Sequence, residues 1–236
     1  MEISKRQVLY EDNHIIAVNK PIGWLVHADK TGDVPLTAYV KQYIKVKYKK
    51  PGDVFLGVIH RIDRPVSGIV VLARTSKALT RMTKLFRDNE INKMYWAITT
   101  EKPEELEGKL VHWLRKNPEN NKTEAYSLER KSPKGAKRSE LSFALKAARA
   151  KNYLLEVRPI TGRSHQIRTQ LSKINCPIRS DVKYGYKGGL HPDNGIYLHA
   201  RGISFIHPVK NERIEIFAPP PNEQVWNQFK DIDSQF

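Results

Sequence analysis

An aspartate flanked by arginines, Arg61-Ile62-Asp63-Arg64, lies between two apolar, β-branched runs in the stretch VFLGVIHRIDRPVSGIVVLA, residues 54–73. Runs of valine, isoleucine and leucine bounded by turn residues read as buried strands, and Pro65, Ser67 and Gly68 supply loop chemistry between them. Nearby guanidinium groups favour the ionised acid, so Asp63 suits a nucleophile or charge stabiliser better than a proton donor. A structural ion pair would use the same residues, because salt-bridge networks also perturb acids. A second cluster follows the strand-breaking segment Arg158-Pro159-Ile160-Thr161-Gly162. From Arg163 onward, Ile167, Leu171 and Ile174 mark one helix face. Arginine at or near a positive helix end is electrostatically unfavourable unless an anion sits there. An internal carboxylate and a substrate phosphate both meet that need.

The elements that position these residues are legible in outline. Gln7 to Lys20 reads as a hairpin with VLY and IIAV as strands and Glu11-Asp12-Asn13 as the turn. Pro21 ends the pairing and holds Lys20 extended, where a long cation reaches a neighbouring site or solvent; taken alone, the solvated lysine is the expectation. From Leu36, the residues Val40, Tyr43 and Ile44 recur at helical spacing, with Lys41, Lys45 and Lys47 elsewhere on the surface. Ser76 is the expected cap of a second helix with the core stripe Ala78, Leu79, Met82, Leu85 and Phe86. Lys93 to Thr99 is strand-like and carries Tyr95 and Trp96 on opposite faces, one of them expected to be buried.

The polar segment from Glu101 to Gly108 is a candidate inter-lobe connection, and Lys116 to Thr123 reads as a polar loop. Arg130 to Arg138 reads as a mobile basic loop suited to phosphate contacts, or as a solvated charge run. Glu140–Ala147 and Tyr153–Arg158 read as paired strands turning near Ala150–Asn152, and three further strands cover Ile196–Arg201, Ile203–Ile206 and Arg213–Ala218. Asn222 begins a short final helix with Val225, Trp226 and Phe229 facing inward. Recurrent hairpins with few helices between them predict an α+β fold on a mostly antiparallel central sheet with flanking helices.

The composition narrows the partners. The chain has 236 residues, with 41 Lys plus Arg against 25 Asp plus Glu, a formal net charge of +16 that attracts polyanions. With 39% hydrophobic residues the charge sits on a folded body. Nucleic acid ranks above an acidic membrane, because the best basic helix, Thr37 to Tyr48, has an apolar face that a core explains. The single Cys176 reads as a small buried hydrophobe and cannot build a disulfide or a Cys-rich metal site. A cytoplasmic chain with no membrane span and no targeting segment is expected.

Several chemistries lack their motifs: no Gly-rich loop ends in Gly-Lys-Ser/Thr, and HExxH, CxxC, GxSxG and the zinc deaminase pattern are missing. The histidines His60, His165, His191, His199 and His207 show no metal-ligand spacing, so no metal or cofactor is expected.

Four motifs together resemble the RluA-type RNA pseudouridine synthases. They are Asn19-Lys20-Pro21, His60-Arg61-Ile62-Asp63-Arg64 with Ser67-Gly68, Lys93-Met94-Tyr95-Trp96-Ala97-Ile98, and Thr161-Gly162-Arg163-Ser164-His165-Gln166-Ile167-Arg168. They keep one order from roughly Val8 to Ala218. The resemblance implies one α+β catalytic domain over residues 1–236 with a catalytic cleft, acting as a monomer on tRNA or rRNA without metal or cofactor. It implies no appended S4-type RNA-binding domain ahead of Val8.

The resemblance also implies roles. Asp63 is similar to the essential aspartate that breaks the N1–C1′ bond, Tyr95 to the aromatic residue that packs on the target base and takes the C5 proton, and Arg163 to the partner that holds Asp63. Arg61 resembles the side chain that fills the gap left by the extruded base, with Ile167 packing under that base. Lys20, Arg64, Lys93, His165 and Arg168 are implied RNA-binding residues. A uridine in folded RNA must leave its stack to expose C1′ and C5, which calls for a pocket, an aromatic platform and phosphate-binding cations.

One departure is visible. Where that family often has Gly-Asp before Tyr-Gly, this chain reads Arg179-Ser180-Asp181-Val182-Lys183-Tyr184-Gly185, so the local turn and RNA contacts are expected to differ. The loop Arg64-Pro65-Val66-Ser67 and the segment Gly23-Trp24-Leu25-Val26-His27 lie closer to the tRNA-modifying branch. A non-catalytic RNA-binding protein and a metal-dependent nuclease using Asp63 are the competing readings; the nuclease would need further acidic ligands where arginines stand.

Overall fold

A computed structural model describes residues 3–129, 131–232 and 235–236. In chain order the first elements are β1 (Val8–Glu11), β2 (Ile15–Lys20), α1 (Leu36–Lys47), β3 (Gly57–Val58), β4 (Ser67–Ala73), α2 (Ser76–Arg87) and β5 (Asn92–Thr99). They continue with β6 (Glu107–Asn117), β7 (Lys122–Tyr126), β8 (Lys137–Arg149), β9 (Asn152–Pro159), α3 (Gln166–Lys173), β10 (Leu198–Ile206), β11 (Arg213–Phe217) and α4 (Gln224–Asn227). The chain forms two compact units, one of Met1–Asn92, Ala200–Pro221 and Phe236, the other of Lys93–His199 and Asn222–Gln235. The candidate connection from Glu101 to Gly108 falls inside the second unit rather than between the two.

In the first unit β2 pairs antiparallel with β1 and with β4, and β10 lies on the far side of β4 and pairs antiparallel with β11. Asp12 closes the first hairpin by accepting the His14 and Ile15 amides at 2.8 and 2.9 Å, the side-chain turn that its position predicts. Ile15, Ala17, Ile69, Val71 and Phe205 meet Ala78 and Met82 of α2 in one core. The α2 stripe packs as its spacing predicts, but Thr75 rather than Ser76 is the cap, its hydroxyl accepting the Ala78 amide at 3.1 Å.

The apolar run before Asp63 does not form the expected strand. Only Gly57 and Val58 pair, opposite Ala73 and Leu72. β2 occupies one edge of β4 and β10 the other, so little of β4 is left for this run, and Phe55 stays exposed.

Gly68 is required where it stands. Its φ is +114°, and a Cβ there would lie 2.4 Å from the Ala200 carbonyl oxygen. Gly68→Ala is expected to lose about 3 kcal/mol of stability or fail to fold, read by thermal melting, because both the backbone angle and the neighbouring strand oppose it. Unchanged melting would contradict this close approach.

The second unit is an antiparallel array in the order β5-β9-β8-β6-β7. The expected loop from Lys116 to Thr123 is instead the end of a hairpin, with Lys116 opposite Thr123 and Asn117 opposite Lys122. Arg130 lies outside the described residues; Lys137 and Arg138 already belong to β8, and Arg138 pairs with Glu140 at 2.7 Å. β8 and β9 join through Ala150 and Lys151, both at positive φ (46° and 62°), the geometry that two-residue hairpins favour. Both units together give the α+β class with mostly antiparallel pairing. Among the described residues no helix is long and apolar enough to cross a membrane.

Candidate active site

In the first unit the chemistry is built on the turn after β3. The Val66 amide donates to the Asp63 carbonyl at 3.0 Å, closing a tight turn across Arg64 and Pro65. The Gly23 amide donates to the Arg64 carbonyl at 3.0 Å, and Arg64 Nε returns a bond to the Gly23 carbonyl at 3.0 Å. The Arg64 guanidinium also pairs with Asp33 at 2.8 Å, both side chains about half exposed. Two bonds to one residue and an ion pair thus brace the loop that presents Asp63. Ile62 is buried beside it, while Arg61 is exposed and reaches His27 at 3.5 Å.

Lys20 overturns its expected solvation and its expected RNA contact. It is 0% exposed, and its ammonium donates to the carbonyls of Pro21, Trp24 and Arg64 at 3.0, 2.9 and 3.2 Å. Three acceptors use the three donors of an ammonium, so none is left for a phosphate. Lys20 instead ties the loop after β2 to the Asp63 turn. Burial pulls its pKa down to about 7; the nearby Asp63 carboxylate acts the other way, and Arg64 lowers it further.

This depression has a defined sign. The ordinary lysine value is 10.5, so from about pH 7 to 10.5 the unfolded chain holds the extra proton and this group's contribution to stability rises with pH. Denaturant melts across that range are expected to show a rise that Lys20→Met removes. Parallel pH profiles for the two proteins would contradict it.

His60, next to Arg61, is a structural residue. Its Nε2 accepts the Val71 amide at 3.0 Å, and its ring stacks on Phe86 at 4.6 Å.

In the second unit β5 carries Tyr95 and Trp96 on opposite faces, as alternation requires. Trp96 is the buried one, 1% exposed, while Tyr95 opposite Val157 stays partly exposed. Lys93 is also partly exposed, and burial lowers its pKa below the ordinary lysine value.

Arg163 is exposed in the turn before α3, short of the helix itself. Gln166 organises that turn: its Oε1 accepts the Arg163 amide at 3.0 Å and the Thr161 hydroxyl at 2.8 Å, while its Nε2 donates to the Glu140 carbonyl at 3.0 Å. The Arg163 backbone is therefore held in place at an exposed position. His165 takes a left-handed conformation, φ 52°, at the helix cap, with Nδ1 2.7 Å from the Tyr184 hydroxyl. That phenol oxygen also accepts the Thr123 amide at 2.8 Å.

Arg168 corrects another expectation. Its Nε and Nη2 grip both carboxylate oxygens of Asp181 at 2.7 and 2.8 Å, with side chains 6% and 1% exposed. The guanidinium also lies over the Tyr184 ring at 4.8 Å. A buried two-point pair of this kind is structural and leaves no fork for RNA. Ile167 is buried at 7% exposure.

The segment that departs from the expected Gly-Asp is thus the prop for α3. Ser180 occupies a left-handed angle, φ 66°, that a glycine adopts freely, and its hydroxyl donates to the Gly189 carbonyl at 3.1 Å. Gln166, Asp181 and Tyr184 were given no role by the sequence pattern, although all three lie in segments it singled out. Among the described residues no three His, Cys, Asp or Glu side chains gather to hold a metal ion.

Known proteins resemble this chain in sequence and in fold. The RNA pseudouridylate synthase family pattern matches residues 14–173. The chain is 32% identical to a ribosomal large subunit pseudouridine synthase C of Buchnera aphidicola over 92% of this chain and 68% of that protein. It is 30% identical to a tRNA pseudouridine synthase C of Haemophilus influenzae over 94% of this chain and 97% of that protein. Against a second ribosomal large subunit pseudouridine synthase C, from Vibrio cholerae, the identity is 33% and the match spans 65% of the relative. The fold matches human RNA Pseudouridylate Synthase Domain Containing 4 with a TM-score of 0.77 at 24% identity, covering 95% of this chain and 92% of that one. With the family pattern spanning residues 14–173 and taking in the Asp63 turn, Tyr95 on β5 and the Arg163 turn, the chain belongs to the RNA pseudouridylate synthase family.

Proposed function

We infer that the chain isomerises uridine to pseudouridine in structured RNA, ribosomal or transfer, with Asp63 as its essential group. The N1–C1′ bond breaks, the freed base turns, C5 bonds to C1′, the C5 proton leaves and N1 gains a proton. The observation that carries this reading is the Asp63 turn, cross-braced by Gly23, Arg64 and Lys20 within a matched family pattern. A carboxylate positioned before substrate arrives needs little reorganisation, and both a covalent adduct at C1′ and an elimination begin from it. Tyr95 serves as the platform for the base and receives the C5 proton. Arg163 is a further catalytic residue, and Arg61 fills the vacated stack. Lys93 and Arg64 face the phosphates, His165 contacts RNA, and Ile167 lies under the target base.

Carbodiimide-adduct mapping tests the activity and names the position. Treated large-subunit rRNA or tRNA is expected to show a new reverse-transcription stop; its absence from both RNAs would overturn the reading. Tyr95→Phe separates the two roles of that ring. It is expected to keep RNA affinity and slow C5 proton loss by about 100-fold, the usual worth of a positioned proton acceptor. Equal weakening of affinity would assign Tyr95 to binding alone.

A further inference from the structure

A groove of about 430 Å³ runs along the outer face of α1, lined by Ile3, Lys5, Tyr39, Gln42, Tyr43, Val46 and Lys47. It is separate from the Asp63 turn and contains no carboxylate among its lining residues. Tyr39, Gln42, Tyr43 and Val46 share a stripe at helical spacing, while Leu36, Val40 and Ile44 point into the core. The stripe has its own character: two tyrosine rings, an exposed amide, and Val46 at 66% exposure. Two lysines, Lys5 and Lys47, line its rim.

The acid that bonds to groove residues, Glu11, is already matched. It accepts the Tyr43 hydroxyl at 3.1 Å, and it pairs with Lys47 at 2.5 Å and Arg74 at 3.1 Å. Glu11 thus offsets Lys47 on the rim, while its second cation, Arg74, and Lys5 leave the local balance positive. Tyr39 also stacks on Trp24 at 4.3 Å, and the Trp24 carbonyl is one of the three that hold Lys20. The floor of the groove is thus contiguous with the brace of the Asp63 turn.

We propose that this groove docks an unstacked nucleotide of the RNA substrate, at a position other than the target uridine. The proposal rests on the RNA-modifying reading above. Aromatic rings set in a basic surface bind the face of any base while cations hold the backbone. The amide of Gln42 adds a donor and an acceptor for a base edge. The net positive rim, on a chain of net charge +16, favours a polyanion over a neutral peptide or a second copy of the chain.

The test changes the charge of the groove at its most exposed residue. Val46→Glu is expected to weaken equilibrium binding of large-subunit rRNA or tRNA transcripts about tenfold at moderate salt, and Val46→Lys to retain or tighten it. Turnover at saturating RNA should be unchanged in both, so the loss appears in KM. Identical affinities for the two variants would overturn the proposal, and equal weakening would overturn it by making Val46 structural. A wild-type dimer in sedimentation that Val46→Glu dissolves would overturn it in favour of a second copy. Tritium release from uridine C5 keeps the two readings distinguishable: charge-dependent binding without release contradicts the isomerase and leaves the docking groove standing.

Discussion

Asp63→Asn is expected to abolish pseudouridine formation, by about 10⁴-fold or more, while RNA affinity stays near that of the unaltered chain. The amide keeps the size of the carboxylate and can keep the turn, which is built from backbone bonds: Val66 to Asp63, and Gly23 to Arg64. It cannot attack C1′ or take a proton as a carboxylate can. Single-turnover assays with filter binding separate the two effects. Lost affinity, with turnover falling only in proportion, would make Asp63 a structural ion and remove the chemistry from this turn.

Separating Arg168 from Asp181 is expected to produce the largest loss of stability. Arg168→Met leaves a carboxylate with 1% exposure and no matching guanidinium, and Asp181→Asn leaves the converse. Removing one partner of a buried pair costs about 3–5 kcal/mol. For a chain of this length the melting temperature should fall by roughly 10 °C. The double change Arg168→Met with Asp181→Leu should recover much of that loss, because no buried charge remains. Were Arg168 an RNA contact, Arg168→Met would melt normally and bind RNA weakly, the outcome that contradicts the structural assignment.

These residues show where the sequence is readable. Hairpin β1–β2 and helices α1 and α2 are legible because burial marks the sequence: Ile15 to Val18 form an unbroken covered apolar run, and Val40, Ile44, Ala78 and Met82 recur at helical spacing. β6 and β7 were not legible, because both of their faces are partly open. Leu114 alone is fully covered in β6, so no alternation separates it from a polar loop. The run before Asp63 failed for the opposite reason: it has strand composition, but β4 offers it little free edge. Competition for hydrogen-bonding partners is a tertiary fact that local propensity does not contain.

The candidate site divides in the same way. Motif spacing locates Asp63, Tyr95 and Arg163, whereas the direction of a side chain depends on what surrounds it. Lys20 looks like a solvated cation until three carbonyls from separate positions converge on it. Arg168 looks like a phosphate contact until Asp181, supplied by the segment that departs from the family pattern, covers its fork. Gln166, written inside the motif, acts by ordering the backbone of Arg163.

This chain is expected to exchange the N1–C1′ bond of uridine for a C5–C1′ bond, with no metal required. The most direct measurement is tritium released to water from RNA labelled at uridine C5, incubated with the protein and a chelator. The account predicts release from large-subunit rRNA or tRNA, with strand length intact and with none released by Asp63→Asn. Release that persists in Asp63→Asn, or RNA bound tightly by the unaltered chain with no tritium lost from either substrate, would contradict it.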